Sequence, residues 1–184
     1  MGRLPAEIIG DGQPPLVLRR WRRDDAEALW RAVRESEEHL RPWLRFMADE
    51  PLSLERRREL LGVWEQEWER GGDARYAILL DGELAGGGGL HRRRGPDILE
   101  IGYWIHRDFL RRGIATETSR LLCATALQAE GIEHAQIHCD RANAASNAIP
   151  RRLGFMLIAE NPVDPEAPAE EGVDCVWRLS RSDR

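Results

Sequence analysis

The stretch ILEIGYWIHRDFLRRGIATETSRLL (98–122) joins a predicted strand to a predicted helix through a turn that contains one glycine. Residues 98–105 are apolar on both faces of the pleat except at Glu100, which is typical of a strand inside a sheet. We expect the helix to run from about Gly113 to Glu130 and to stop at Gly131. A buried strand, a turn and a helix in this order indicate a mixed α/β domain.

The glycine turn is a candidate anion site. The N-terminus of a helix presents unpaired N–H groups, and Gly113 and Ala115 leave the backbone open to a phosphate or pyrophosphate. Thr116 adds a hydroxyl, and Arg111 and Arg112 add positive charge. The ordinary alternative is a loop that enters an amphipathic helix with a solvated basic pair, and the turn alone favours that alternative.

Three further residues have side chains suited to acyl or proton transfer. Burial of Glu100 predicts a raised pKa and a proton acceptor, whereas the alternative is a salt bridge to one of the many arginines. Asn143 and Ser146 follow the predicted strand HAQIHCD (134–140); an amide can bind a ligand and a hydroxyl can deliver a proton. Both are also good turn and cap residues, and we predict Ser146 as the N-cap of a short helix.

The rest of the chain alternates between helix and strand signals. A strand at LVLRRW (16–21) precedes two predicted helices, the second capped by Ser53. Asp81-Gly82 predicts a type I′ hairpin turn, so the run AGGGGLH (85–91) is predicted to be a strand and not a phosphate loop. Its missing side chains leave space for a substrate or for a neighbouring element. Two closing strands flank an acidic, proline-rich segment that we expect to be an exposed loop.

Length and composition limit the class of protein. The 184 residues predict a mobile segment over 1–14 and a single domain over 15–180. The net charge of −5 argues against direct nucleic-acid binding. We expect no membrane association and a cytoplasmic location, because the sequence has neither a long apolar run nor a signal peptide. The three cysteines are too widely spaced to indicate a disulfide framework.

Four ordered motifs resemble the GNAT N-acetyltransferase superfamily, and within it the RimJ/RimL type of ribosomal-protein N-terminal acetyltransferases. They are HLRPWL (39–44), LEIGYWI (99–105), LRRGIATE (110–117) and NAAS…RRLGF (143–155), and the similarity runs from about Leu16 to Leu179. The resemblance implies a single-domain α/β fold. Its mixed, mostly antiparallel central sheet would be flanked by helices and splayed into a V that binds acetyl-CoA.

The resemblance also implies roles for individual residues. Glu100 would be the general base, directly or through water, and Ser146 the candidate general acid near the thioester sulfur. The cofactor-binding groups would be the backbone of Tyr103, Trp104 and Ile105, the amides of Arg111, Arg112, Gly113, Ile114, Ala115 and Thr116, and the side chain of Asn143. Leu110 stands where the superfamily usually has Gln or Arg, so any pyrophosphate contact would come from the backbone.

The implied reaction is transfer of an acetyl group from acetyl-CoA to a primary amine, most simply a protein N-terminus. The amine attacks directly, so neither a metal nor a covalent enzyme intermediate is needed. Two alternatives stay open: an aminoglycoside- or polyamine-type acetyltransferase, and a non-catalytic acyl-CoA-binding module. A homodimer is one arrangement that this branch allows.

Two more positions are candidates for acceptor binding. Trp43 lies in the proline-broken segment RPWLRF (41–46), and His91 ends the glycine-rich strand. Three residues on the predicted strand 134–140 are of types that commonly bind metals: His134, His138 and Cys139. Strand alternation turns Cys139 away from both histidines, so we predict a structural role for them and no metal site.

Overall fold

The computed structural model describes residues 2–183 and contains one eight-stranded sheet. Met1, the first residue of the segment that we predicted to be mobile, lies outside the described residues. The spatial order of the strands is β1-β2-β3-β4-β5-β6-β8-β7, and all neighbours are antiparallel except β5 and β6. In chain order the strands are β1 Glu7–Ile9, β2 Leu16–Arg20, β3 Ala74–Leu80, β4 Glu83–His91, β5 Ile98–Ile105, β6 His134–Asp140, β7 Met156–Pro162 and β8 Val173–Ser180.

Helices cover both faces of this sheet. They are α1 Ala26–Glu35, α2 Glu37–Leu40, α3 Leu54–Glu69, α4 Ile114–Gln128 and α5 Ala144–Arg152. One face packs against α4 and α5 through a core that includes Ile101, Leu122 and Trp177. The other packs against α1 and α3 through a smaller core around Leu29 and Leu61. The predicted α/β fold with a mixed, mostly antiparallel sheet is confirmed.

The feature that positions the site is a gap between β5 and β6. These two strands pair only at their start, from Ile98 opposite His134 to Glu100 opposite Gln136. Beyond that register β5 keeps its pairing with β4, and β6 keeps its pairing with β8. The sheet is therefore splayed where the two parallel strands diverge, as the V-shaped sheet of the resemblance requires.

Local turn chemistry produces several of these elements. Asp81 and Gly82 both have positive φ, 52° and 78°, so the two-residue hairpin forms as predicted. The glycine run lies in β4, where the indole Nε1 of Trp104 occupies the space that an added Cβ at Gly87 would need. These glycines make room for a bulky side chain on the face that carries α1 and α3.

Two segments make contacts that the sequence did not indicate. The start of the chain is part of the fold, because β1 pairs with β2 and the Trp68 indole donates to the carbonyl of Leu4 at 3.1 Å. The acidic segment after β7 packs partly against the connector near Trp43, where the Ala169 amide donates to the Pro42 carbonyl at 2.9 Å. Neither contact has a local sequence signal, since each joins residues far apart in the chain.

Candidate active site

One wall of the gap is the free edge of β5. The His106 amide donates to the Ala85 carbonyl of β4 at 2.8 Å. Since alternate residues of a strand point their backbone groups to opposite sides, Trp104 also pairs with β4, while Tyr103 and Ile105 face the gap. The Ile105 carbonyl accepts a hydrogen bond from His39 Nε2 at 2.9 Å, which ties the HLRPWL segment to this edge.

The turn before α4 presents a row of free amides. Arg111 and Gly113 have φ of 62° and 76°, and Gly113 is the N-cap of α4. Within residues 2–183, no amide from Arg111 to Thr116 donates a hydrogen bond to another group. A turn of this kind at the start of a long helix forms a concave anion site made by the backbone. The Arg112 guanidinium lies 5.0 Å above the Phe109 ring, and Arg111 is exposed.

Two hydroxyls meet on the same face as this turn. Tyr103 Oη lies 2.9 Å from Ser146 Oγ, at the end of the gap where α5 begins. Burial raises the pKa of Tyr103, so its hydroxyl keeps its proton at neutral pH. Burial likewise raises the pKa of the neighbouring Cys139 thiol to about 12, although Ser146 hydrogen-bonds to it. These groups can supply a proton to a leaving group in the gap.

The N-cap of α5 differs from our prediction. Asn143 Oδ1, not Ser146, caps the helix by accepting the Ser146 amide at 3.0 Å. Asparagine and serine cap about equally well, so the choice between them depends on where the chain leaves β6. The cap holds Ser146 in the first turn and leaves its hydroxyl free to contact Tyr103. The predicted contact of Asn143 with the cofactor stays a prediction.

Glu100 is buried and held by an ion pair. Its carboxylate accepts hydrogen bonds from the guanidiniums of Arg93 and Arg94, with Nε–Oε2 distances of 3.0 and 2.5 Å. Burial by itself would raise the pKa of this carboxyl, but the hydrogen bonds and charges of the two arginines outweigh it and lower the pKa to about 2. Our expectation of a raised pKa is wrong, and the alternative of a salt bridge is confirmed.

The ion pair makes Glu100 a source of acid sensitivity. A folded-state pKa below the ordinary 4.5 gives stability that is present above pH 4.5 and is lost as the pH falls towards 2. We expect Glu100→Gln to lower the free energy of unfolding at neutral pH by about 2 kcal/mol. Over that acidic window the variant should lose less stability than the wild type. Urea denaturation at a series of pH values measures both effects.

Glu59→Gln is the matched control for this experiment. Glu59 also pairs with an arginine, Arg56 at 2.7 Å, but its side chain is 55% exposed. An exposed pair of this kind contributes less than about 1 kcal/mol. Identical pH dependence in the two variants would show that the burial of Glu100 has no energetic consequence.

A cavity of about 1380 Å³ opens on the other face of the sheet, below α1 and α3. Trp43 and His91, our two candidates for acceptor binding, both line it, together with Phe46 and Trp104. Glu100 and Gly102 form part of its floor beside the gap. The anion turn and the two hydroxyls therefore lie on one face of the sheet and the cavity on the other, and the two sides connect where β5 and β6 separate.

The apparent metal ligands on β6 point in different directions. His138 Nδ1 lies 2.8 Å from Asp174 Oδ2 on the cavity face, whereas Cys139 packs against the core on the face of α4. Among residues 2–183, no three His, Cys, Asp or Glu side chains come together as a metal site. In the same part of the chain, none of the helices is long and apolar enough to span a bilayer.

Sequence reasoning missed two groups in the site. The ring hydroxyl of Tyr103 and the Asp73 carboxylate beside His91 had no assigned role. Strand alternation could have identified the first, because it places Tyr103 on the face opposite Glu100. Asp73 precedes β3 and pairs with a residue 18 positions later, so no local pattern marks it.

Comparison with known proteins agrees with this arrangement. The model of the acetyltransferase (GNAT) domain family matches residues 15–156. The Bacillus subtilis (strain 168) protein named "Putative ribosomal N-acetyltransferase YdaF" is 31% identical over 134 residues, which are 72% of this chain and 73% of that protein.

Two solved structures share the fold. RimL, a ribosomal L7/L12 alpha-N-protein acetyltransferase solved with coenzyme A, has a TM-score of 0.83 at 23% identity, covering 92% of this chain and 96% of RimL. Mycobacterium smegmatis RimJ, solved with a CoA-disulfide, has a TM-score of 0.80 at 19% identity, covering 98% of this chain and 88% of RimJ. The family model spans most of the sheet and both helices beside the gap, and the chain belongs to the GNAT acetyltransferase family.

Proposed function

We propose that this acetyltransferase moves the acetyl group of acetyl-CoA to a primary amine, and that the amine is a protein N-terminus. The observation that supports this most directly is the gap between β5 and β6, which connects a backbone anion site and two hydroxyls on one face to a large cavity on the other. RimL and RimJ, which share the fold, were solved with coenzyme A and with a CoA-disulfide, and RimL is named as a ribosomal L7/L12 alpha-N-protein acetyltransferase.

The residues beside the gap fit acetyl-CoA as a substrate. The amides from Arg111 to Thr116 would hold the pyrophosphate, because they have no other acceptor in the described chain. The gap-facing edge at Tyr103 and Ile105 would pair with the pantetheine arm, with Asn143 on the opposite side. The Trp104 backbone, predicted for the same role, already pairs with β4.

The proposed chemistry is a direct displacement. The amine nitrogen forms a bond to the thioester carbonyl carbon, and the C–S bond breaks. Ser146 Oγ gives its proton to the departing sulfur and takes one from Tyr103 Oη at 2.9 Å. Tyr103 then regains a proton from solvent, which receives the proton that the amine nitrogen loses. Glu100 as the general base stays a prediction, and its ion pair with two arginines argues against it.

The size of the cavity favours an extended acceptor. Trp43 and Phe46 offer aromatic surface for the first side chains of a peptide, and about 1380 Å³ exceeds what a small amine needs. A second candidate is a small polyamine or aminoglycoside. The acidic side chains of Asp164, Glu166 and Glu170 support it, because they line the same cavity and would attract a cationic amine.

A panel of acceptors separates the two candidates. We expect mass spectrometry to show acetylation of peptides with a free N-terminus and none of the same peptides with a blocked N-terminus. Spermidine and an aminoglycoside serve as the small-amine arm. Transfer to those amines but to no peptide would contradict a peptide acceptor and indicate a small cationic one. Tight acetyl-CoA binding without any transfer would favour a non-catalytic module.

Trp43→Ala tests the acceptor side. We expect about a tenfold rise in the KM for the peptide, because the loss of a buried aromatic contact costs roughly 1–2 kcal/mol. The dissociation constant of acetyl-CoA should not change, since Trp43 lies on the opposite face from the anion site. Trp30→Ala is the control, because Trp30 lies outside the cavity and donates to the Leu52 carbonyl. Equal effects of the two variants on KM would contradict a role for Trp43 in peptide binding.

A further inference from the structure

His91 and Asp73 form a paired histidine and carboxylate on the cavity face. His91 Nδ1 lies 2.7 Å from Asp73 Oδ2, and the other oxygen of Asp73 accepts the Arg92 amide at 2.8 Å. Burial opposes ionisation of Asp73, but the hydrogen bonds from His91 and from that amide, with the charge of Arg75, lower its pKa to about 2. An ionised carboxylate can only accept, so Nδ1 donates and the lone pair of the neutral imidazole is on Nε2.

The position of His91 Nε2 relates it to the gap. A Cβ added to Gly89 or Gly102 would lie 3.0 or 3.2 Å from this nitrogen, so the ring lies over the two glycines. Gly102 belongs to the part of β5 that no longer pairs with β6. The next residue, Tyr103, contacts Ser146 on the opposite face. Nε2 therefore lies at the cavity side of the same opening that Tyr103 and Ser146 border from the other side.

His91 differs from the other two candidates for a base in having a free nitrogen. Within residues 2–183, Nε2 of His91 has no hydrogen-bond partner, and it borders the cavity. His138 is bonded on both sides, with Nδ1 2.8 Å from Asp174 and Nε2 3.0 Å from the Gln136 amide group. Glu100 is occupied by two guanidiniums. Of these three groups, the His91 ring alone can accept a proton without first breaking an existing contact.

We propose that His91 is the general base of the transfer and that Asp73 is its positioning residue. This inference rests on the proposed function and assigns a step in it. Nε2 removes one proton from the acceptor ammonium, and the resulting amine attacks the thioester. The C–N bond forms, the C–S bond breaks, and the sulfur leaves with the proton from Ser146. The second proton on nitrogen passes to water, and the imidazolium returns its proton to solvent after each turnover.

The charged groups near His91 affect how the pH dependence of kcat is interpreted. From Asp73 to the end of β6 and on β8, the charged and titratable side chains that bond to His91 or line the cavity with it are Asp73, Arg75, Arg93, Arg94, Glu100, His138, Asp140 and Asp174. The carboxyls of Asp73 and Glu100 have pKa values lowered to about 2, and guanidiniums stay charged. Substitution of His91, His138 and Glu100 in turn therefore identifies which side chain the pH dependence of the rate requires.

The test measures kcat as a function of pH for peptide acetylation by His91→Gln and the wild type. The side-chain amide of this variant can still bond to Asp73 but cannot take a proton, so we expect kcat to fall about 100-fold near neutral pH. Above the pKa of the peptide amine, about 8, the substrate is already deprotonated and the loss should shrink to about tenfold or less. Asp73→Asn should show the same trend with a loss of about tenfold. Coenzyme A affinity, measured by calorimetry, should stay within about twofold in both variants.

Matched variants make each outcome decisive. His134→Gln removes a histidine that contacts Ser180 outside the cavity, and it should keep the wild-type profile. A loss in His91→Gln that is the same at every pH would indicate a structural effect and would overturn the proposal. So would loss of the pH dependence in His138→Gln or Glu100→Gln in place of His91→Gln. If the wild type acetylates no amine at all, the proposed function itself fails. If the wild type is active and His91→Gln has the same kcat at every pH, only the assignment of His91 as the general base fails.

Discussion

Gly113→Val should weaken coenzyme A binding by about 100-fold. At φ 76° a β-branched residue is strained by roughly 1–3 kcal/mol, and relaxing the strain rotates the amides that begin α4. The site has few other means of binding phosphate. Arg112 lies over Phe109, and Leu110 stands where the superfamily usually has a polar side chain. Isothermal titration calorimetry measures the change directly.

Gly131→Val is a matched control for that variant. Gly131 has φ 74°, follows the other end of α4 and, like Gly113, has no atom within 4 Å of an added Cβ. The two substitutions should destabilise the fold by similar amounts, yet only the change at Gly113 should affect binding. Leu110→Ala should leave the affinity unchanged, because its exposed side chain carries no polar group. Equal loss of binding in Gly131→Val, or a large loss in Leu110→Ala, would contradict a backbone cradle.

Ser146→Ala should lower kcat by about 100-fold and change coenzyme A affinity little. The hydroxyl is needed when the sulfur departs, so its loss acts on the transition state more than on binding. Tyr103→Phe should cost less, because Tyr103 acts through Ser146. Since the two hydroxyls form one relay, the double variant should be no slower than Ser146→Ala.

Steady-state kinetics with saturating acetyl-CoA measures these rates. Ser180→Ala serves as the control, because Ser180 contacts His134 at the far end of β8 and should not affect turnover. Additive losses from Ser146→Ala and Tyr103→Phe would mean that the two hydroxyls act independently. Unchanged kcat in Ser146→Ala would show that Ser146 is not the general acid.

The sequence predicted best what local chemistry determines. Asp81 and Gly82 favour one turn type, and the hydrophobic pattern around Glu100 marks a buried strand whatever lies beside it. The glycine run was correctly predicted as a strand, because the hairpin before it sets its direction. Gly113 marked the start of α4 to within one residue. Each of these features depends on residues close together in the chain.

Tertiary partners determine what the sequence could not predict. Burial of Glu100 indicated a raised pKa, but Arg93 and Arg94, which lie in the connection between β4 and β5, reverse the shift. Both residues were visible in the sequence, although their side-chain directions were not. Asn143 displaced Ser146 as the cap for a similar reason, because two good caps three residues apart are separated only by the path of the backbone.

A crystal structure with coenzyme A bound tests most directly whether the gap is the site of transfer. We expect the pyrophosphate to accept hydrogen bonds from the amides of residues 111–116 and the pantetheine arm to lie along the free edge of β5. The sulfur should then lie between Ser146 on one face and the cavity with His91 on the other. Coenzyme A bound away from the gap, or a sulfur that does not reach Ser146, would contradict both the substrate assignment and the proposed chemistry.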